Sequence, residues 1–321
     1  MTSHSSPIAF LFPGQGSQAV GMGKELAALY PVAQETFDEA DAALGYKLSE
    51  VCWEGPEEKL KLTEITQPAI LTVSIAAYRV LESMGYAPSF VAGHSLGEYS
   101  AHVAAGTLAF TDAVKTVRNR GRYMQEAVPV GVGAMAAILA LPLDKVEEVC
   151  REAAADGACC DAANINSDGQ VVISGSAKAV ERAAELAKQK GAKRAVMLPV
   201  SAPFHCALMQ PAQDRLAADL KALDFHPMEV PLVTNVDAAI IQSPDAARDA
   251  LIRQVTGSVK WEQSMRVLIG KGVHTFLEVG PGKVLSGLMR QIDRSKIALN
   301  VEDDASLQKT INHFAGASLA Q

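Results

Sequence analysis

SFVAGHSLGEYSAHVAA, residues 89–105, decides the fold. SFVAG at 89–93 reads as a short strand buried on both faces of a sheet. From Leu96 to about Ala105 the spacing becomes helical. Between them Gly93-His94-Ser95-Leu96-Gly97 matches G-x-S-x-G, in the strand-turn-helix setting that a nucleophile elbow requires. Such a turn leaves no room for side chains at the flanking glycines and holds the Ser95 hydroxyl outward. The helix N-terminus behind it presents free N–H groups and a positive dipole end to a developing oxyanion. An ordinary Gly-Ser turn is the plain alternative, and the flanking strand and helix weigh against it.

The same alternation extends in both directions. IAFLF at 8–12, closed by Pro13-Gly14, reads as another buried strand, and PAILTVSIAAYRVLESM at 68–84 as a helix with proline in its first turn. Residues 128–199 have their own pattern: strand GAMAAILAL, helix DKVEEVCREAAADG, strands ACCDAANIN and QVVISGS, helix AKAVERAAELAKQKG and strand KRAVMLPV. That β-α-β-β-α-β order is the ferredoxin-like split unit. Beyond Ser201 come a helix near 209–223, strand PLVTNV, helices near 246–255 and 260–270, strand HTFLEVG, a helix at 283–292, strand IALNV and a helix near 306–315. The expected architecture is a three-layer α/β subdomain with a parallel sheet, residues 1–127 and 200–321, interrupted by a small ferredoxin-like subdomain, residues 128–199.

Composition narrows the function. With 321 residues, 49% hydrophobic and 20% charged, the chain is large enough for a core without metal or disulfide. Its 36 acidic against 29 basic side chains give a net charge of −7, the wrong sign for non-specific binding to nucleic acid or an anionic membrane. An anionic ligand must therefore be met by a few placed cations. Cys52, Cys150, Cys159, Cys160 and Cys206 form no C-x-x-C pair and no Cys/His ligand spacing, so free thiols and no metal are expected. MTSHSSPIAFLFPG lacks a basic n-region, and the longest uncharged apolar stretch, 130–143, contains Gly131, Gly133 and Pro142 and is short of a bilayer span. A cytoplasmic protein is expected.

A serine nucleophile needs a base. Of the seven histidines, His4 sits in the terminus, His94 lies within the elbow, His102 falls on the following helix in a packing position, His274 opens a strand, and His226 and His313 stand in polar contexts. His205 ranks first, because Ser201-Ala202-Pro203-Phe204-His205 is the loop by which the chain re-enters the large subdomain, where clefts form. Thr111-Asp112 reads as the cap of a helix on which Ala113, Val117, Arg120 and Met124 share one stripe, with Lys115, Arg118 and Arg122 on the solvated face. Arg120 either snorkels to a structural partner or waits on the buried side for an anion; the wheel leaves both open.

Two glycine-rich loops are weaker signals. Gly14-Gln15-Gly16-Ser17-Gln18-Ala19 fits G-x-G-x-x-A, yet the region that should hold a second strand and its acidic end is the helical PVAQETFDEADAAL, so a dinucleotide site is set aside. A glycine-lined strand end able to offer N–H groups to an anion survives. Gly280-Pro281-Gly282-Lys283 fails the phosphate-loop spacing.

FPGQGSQ at 12–18, GHSLGEYSA at 93–101, Arg120-Gly121 with MQEAVP at 124–129, APFH at 202–205 and EVGPGKVL at 278–285 together resemble the malonyl-CoA:acyl carrier protein transacylase family, over about Ile8 to Leu307. The resemblance implies that Ser95 is the acylated nucleophile and His205 its base. Gln15 and Leu96 would supply oxyanion-hole N–H groups, and Arg120 would hold the malonyl carboxylate. Asn164 and Gln254 would line the site, with a main-chain carbonyl near Gln254 orienting His205. Gly257-Ser258-Val259 departs from the family's usual proline-valine at this point. Phe204 beside the base suggests a tight pocket favouring malonyl over methylmalonyl.

The implied partners are malonyl-CoA, a substrate and not a cofactor, and an acidic acyl carrier protein. The carrier would dock on Lys188, Lys190, Lys193 and Arg194, or on Lys283 and Arg290. No cofactor or metal is implied, and a monomer is expected. Rival readings are a serine esterase or thioesterase, which delivers the acyl group to water, a non-catalytic carrier-binding module, and a nucleotide-binding oxidoreductase.

Overall fold

Ile8–Phe12, the continuous apolar run near the N-terminus, sits almost wholly buried at the centre of the larger sheet. The computed structural model describes residues 7–200 and 202–319; His4 and Ser201 lie outside them. Among the described residues the strands are β1 (Ile8–Phe12), β2 (Phe90–Gly93), β3 (Gly133–Leu139), β4 (Cys160–Ser167), β5 (Gln170–Ser176), β6 (Arg194–Met197), β7 (Leu232–Val233), β8 (Ile240–Ile241), β9 (Thr275–Val279) and β10 (Ile297–Val301).

The larger sheet runs β10-β9-β1-β2-β7-β8, parallel except for the β7–β8 edge. β1 and β2 pair in register from Ala9 opposite Phe90 to Phe12 opposite Gly93, so the loops after both strands open at the same sheet end. In open parallel sheets that carboxyl end is where ligands bind. The smaller sheet is antiparallel, in the order β4-β5-β3-β6. Helices Leu143–Ala153 and Ala177–Gln189 cover it through a separate apolar cluster that includes Ile138, Val146, Ile173 and Val180. Chain order and spatial order together are those of a ferredoxin-like unit, as the spacing implies.

Several boundaries differ from the sequence reading. The helix expected to open at Pro68 runs from Thr63 to Ser83 with Pro68 inside it. Proline is favoured in a first turn because its missing N–H is an orphan there. Here Thr63, Ile65, Thr66 and Gln67 are all buried, and that packing extends the helix upstream past the proline. Gly121 allows this approach: a Cβ on it would stand 2.5 Å from the Thr63 carbonyl oxygen. The helix of Arg120 spans Phe110–Glu126 and is capped by Ala109, so Thr111 and Asp112 belong to its first turn. PLVTNV shortens to the two residues of β7, because Asn235 turns out of the ladder and bonds the neighbouring elbow. The short edge strand β8 has no clear sequence signal. All five cysteines are free. Among the described residues no helix is long and apolar enough to cross a membrane, and no group of three or more His, Cys, Asp or Glu side chains could hold a metal ion.

Candidate active site

Ser95 occupies the turn between β2 and the helix Gly97–Ala104, with φ of 51°. This left-handed conformation is uncommon outside glycine and is kept only where the surroundings impose it. The flanking glycines make the turn possible. A Cβ on Gly93 would stand 1.9 Å from the Gly97 carbonyl oxygen, and one on Gly97 would stand 2.0 Å from that of Phe12. Asn235, 140 residues further along the chain, pins the turn from β7. Its Oδ1 accepts the Ser95 N–H at 2.7 Å and its Nδ2 donates to the Gly93 carbonyl at 2.7 Å.

His205 also has positive φ, 59°, and is 3% exposed. Its Nε2 lies 2.7 Å from Ser95 Oγ. Its Nδ1 faces the main-chain carbonyls of Gln254 at 2.9 Å and Gly257 at 3.1 Å. Two carbonyl acceptors place the ring proton on Nδ1 and leave Nε2 with a lone pair toward the hydroxyl. Burial, and then the nearby Arg120 charge, push the His205 pKa down to about 3, so the ring is neutral around neutral pH. A serine paired with a neutral imidazole held in one tautomer can act as a nucleophile with its general base.

Arg120 reaches the same hydroxyl from the helix Phe110–Glu126. It is 1% exposed, yet its direct partners are all neutral: Gln67 Oε1 accepts from Nη1 at 2.9 Å, while Gln254 Oε1 and Ser95 Oγ accept from Nη2 at 3.0 and 3.2 Å. Its guanidinium also lies over the Tyr99 ring, 5.6 Å from the centroid. Among the described residues no carboxylate forms an ion pair with it, which leaves its charge for a ligand.

These groups line a cavity of about 410 Å³ between the two sheets. Gln15 and Leu96 face it from the loop after β1 and the turn after Ser95. In the first loop Ser17 N–H and Oγ donate to the Gly14 carbonyl and Gly16 N–H to Gln18 Oε1, leaving the Gln15 amide out. In the second, the Ser95 N–H goes to Asn235 Oδ1 and the Gly97 N–H to the His94 carbonyl, on either side of Leu96. Asn164 on β4 and Phe204 beside His205 also line the cavity, and Asn164 Oδ1 is buried with no partner among the described residues.

Gln254 does not line the cavity. It is fully buried behind it, with its carbonyl on His205 and its side chain joining Arg120, the Ser95 carbonyl and Glu98. The Gly257 carbonyl that shares the His205 proton belongs to the stretch where the sequence departs from the usual proline-valine pattern. Gln67, Asn166, Asn235 and Glu98 complete the surroundings without having been singled out; Asn166 Oδ1 stands 2.8 Å from His94 Nε2. Only Glu98 carried a signal, three residues after Ser95 within the same motif. His102 packs against Phe225, but neither ring nitrogen has a hydrogen-bond partner among the described residues.

The candidate docking cations divide. Lys188 pairs with Glu185, Lys190 with Glu148 and Glu152, and Lys283 with Glu302, while Arg290 donates to the Ala298 carbonyl. Lys193 and Arg194 are exposed at the start of edge strand β6 and form no ion pair among the described residues.

Comparison with known proteins agrees with this chemistry. The acyl transferase domain model matches residues 9–314. The chain is 50% identical over 306 residues to the malonyl CoA-acyl carrier protein transacylase of Bacillus subtilis (strain 168), covering 95% of this chain and 96% of that protein. It is 53% identical over 286 residues to the protein of the same name from Escherichia coli (strain K12), covering 89% and 92%. Among solved structures, an acyl carrier protein S-malonyltransferase from Vibrio cholerae superposes with a TM-score of 0.93 at 47% identity, covering 95% of this chain and all of that one. A malonyl-transacylase solved in complex with its type II PKS acyl-carrier protein superposes with a TM-score of 0.94 at 47% identity, covering 96% and 100%.

Proposed function

The chain belongs to the acyl transferase family, and on that premise we propose that this cavity moves a malonyl group from malonyl-CoA to the phosphopantetheine thiol of an acyl carrier protein, by way of a malonyl-serine, for fatty acid or polyketide chain extension. The observation that carries the reading is one hydroxyl, Ser95 Oγ, met at once by His205 Nε2 at 2.7 Å and Arg120 Nη2 at 3.2 Å.

In the first half-reaction Ser95 Oγ attacks the thioester carbonyl as its proton passes to His205 Nε2. The resulting oxyanion rests on the Gln15 and Leu96 amides, each worth about 3 kcal/mol to the transition state. The C–S bond then breaks, the carbonyl reforms as an ester of Ser95, and CoA leaves as its thiol with the proton from His205. In the second half the carrier's thiol gives its proton to His205 and attacks the acyl-serine, and the serine hydroxyl is restored. A thioester is consumed and a thioester is made, so the transfer runs near balance in both directions. Arg120 keeps its amide partners Gln67 and Gln254 and grips the malonyl carboxylate with the remaining N–H of each Nη atom. Asn164 offers an unused polar group to the bound acyl chain, and Phe204 narrows the pocket against a branching methyl group.

Residues 1–127 and 200–321 form the catalytic subdomain in this reading, and 128–199 the small one that closes over the cavity. No cofactor is needed, one chain is the working unit, and the cytoplasm supplies both substrates. With Lys188, Lys190 and Lys283 already paired, Lys193 and Arg194 are the better candidates for docking an acidic carrier. The test is incubation with malonyl-CoA, with and without a phosphopantetheinylated carrier protein. Carrier malonylation with little free malonate is the expected result. Rapid release of malonate whether or not carrier is present would make the protein a thioesterase and overturn the reading.

A further inference from the structure

Glu98 is fully buried one helical turn beyond Ser95. Its Oε2 accepts from Gln254 Nε2 at 2.6 Å and from the Asn235 N–H at 3.1 Å, while its Oε1 has no partner among the described residues. Gln254 in turn accepts from Arg120 through Oε1. One amide therefore bridges a buried carboxyl group and a buried guanidinium that do not touch. A carboxylate in direct contact would compete with an acidic substrate for Arg120, whereas one held off by an amide partly balances the charge and leaves the contact surface free.

We propose that Glu98 is a positioning residue that sets the selection of acyl groups: ionised, it shares Arg120 with the substrate carboxylate through Gln254, and protonated, it leaves the guanidinium charge wholly to the substrate. This rests on the reading of Arg120 as the carboxylate clamp. Burial raises the Glu98 pKa to about 7, against the opposing pull of the Gln254 and Asn235 hydrogen bonds and of Arg120. The other groups facing it keep one charge state from pH 6 to 8. Arg120 stays cationic and Tyr99, its pKa raised by burial, stays neutral; His102 and His205, with pKa values near 3, also stay neutral. His94 is pushed down by burial in the same way, and Asp237, held low by Arg253, stays anionic. The malonyl carboxylate is itself ionised throughout this range. Lowering the pH from 8 to 6 should thus strengthen the grip on malonyl and leave acetyl indifferent.

The experiment is single-turnover acylation of the full chain by malonyl-CoA and by acetyl-CoA between pH 6 and 8. Ionisation of the CoA moiety is common to both and cancels in the ratio. The wild type should lose about fivefold in its malonyl-over-acetyl preference as the pH rises from 6 to 8. Glu98→Gln should keep its preference at one value across the range. A wild-type ratio that does not move with pH overturns the proposal, and that measurement needs no variant to fold. A ratio that still titrates in folded Glu98→Gln assigns the effect to another group and overturns it as well. Arg120→Ala separates the two claims. Loss of the malonyl preference at every pH upholds the clamp whatever Glu98 does, and a retained preference removes the clamp and this inference with it.

Discussion

Replacing Arg120 with alanine is the sharpest perturbation of the specificity claim. The side chain is 1% exposed, and among the described residues it hydrogen-bonds to Gln67, Gln254 and Ser95 and forms no ion pair, the carboxyl group of Glu98 being held off by Gln254. A malonyl carboxylate bound there would be desolvated, and truncating its only charged partner strands it in a dry site. Losing one partner of a buried charge pair costs about 2–5 kcal/mol. At about 1.4 kcal/mol per tenfold, this is a loss of roughly 30- to 5,000-fold in kcat/KM for malonyl-CoA. Acetyl-CoA has no carboxylate and should lose far less, which makes it the control for any disturbance of Gln254 and, through its carbonyl, of His205. Arg120→Lys keeps the charge without the planar fork and should fall between. The assay is acylation of Ser95 by each CoA ester, with melting temperatures confirming that the variants are folded. Unchanged malonyl transfer, or equal losses for both esters, would refute the clamp.

Other expectations concern stability and docking. Burial pushes the His102 pKa down to about 3, and neither nitrogen has a hydrogen-bond partner among the described residues, so below pH 6.5 the unfolded chain takes up a proton that the folded one refuses. Stability should therefore fall with acid between pH 6.5 and 3, by up to about 1.4 kcal/mol per pH unit from this residue. Urea unfolding at pH 7 and pH 5 should show a smaller difference for His102→Leu than for wild type, and an equal difference removes the argument. Gly121→Ala should destabilise by about 1–3 kcal/mol or more, because the new methyl meets the Thr63 backbone; a wild-type melting temperature would show that the two helices can part without cost. Reversing Lys193 and Arg194 to glutamate should raise KM for the carrier and leave acylation by malonyl-CoA intact, whereas equal effects on both half-reactions would place docking elsewhere.

What could be read ahead of the structure was local. The elbow is legible because strand, glycine, serine and helix follow one another within a few residues; Gly93 answers a collision within the turn, whereas the reason for Gly97, the Phe12 backbone of the neighbouring strand, is not local. The small unit is legible because short apolar runs and amphipathic helical stretches follow one another in the order of that motif. Pro68 misled because its first-turn preference is a property of an isolated helix, and burial of Thr63, Ile65, Thr66 and Gln67 overrides it. Asn235, Gln67 and Gln254 carry no local mark: an amide in a strand or helix looks the same whether it faces water or holds an active-site group from 140 residues away. Arg120 lies between these cases. Its stripe placed it on the buried side, and only the neutrality of its partners separates a ligand-binding arginine from a structural one.

The central claim is that Ser95 carries the malonyl group in transit. Brief exposure of the protein to malonyl-CoA, followed by intact mass measurement, tests it directly. Wild type should gain the mass of one malonyl group, and Ser95→Ala should gain nothing. A wild-type chain that never acquires the adduct while still malonylating the carrier, or a Ser95→Ala chain that acquires it, would contradict the account.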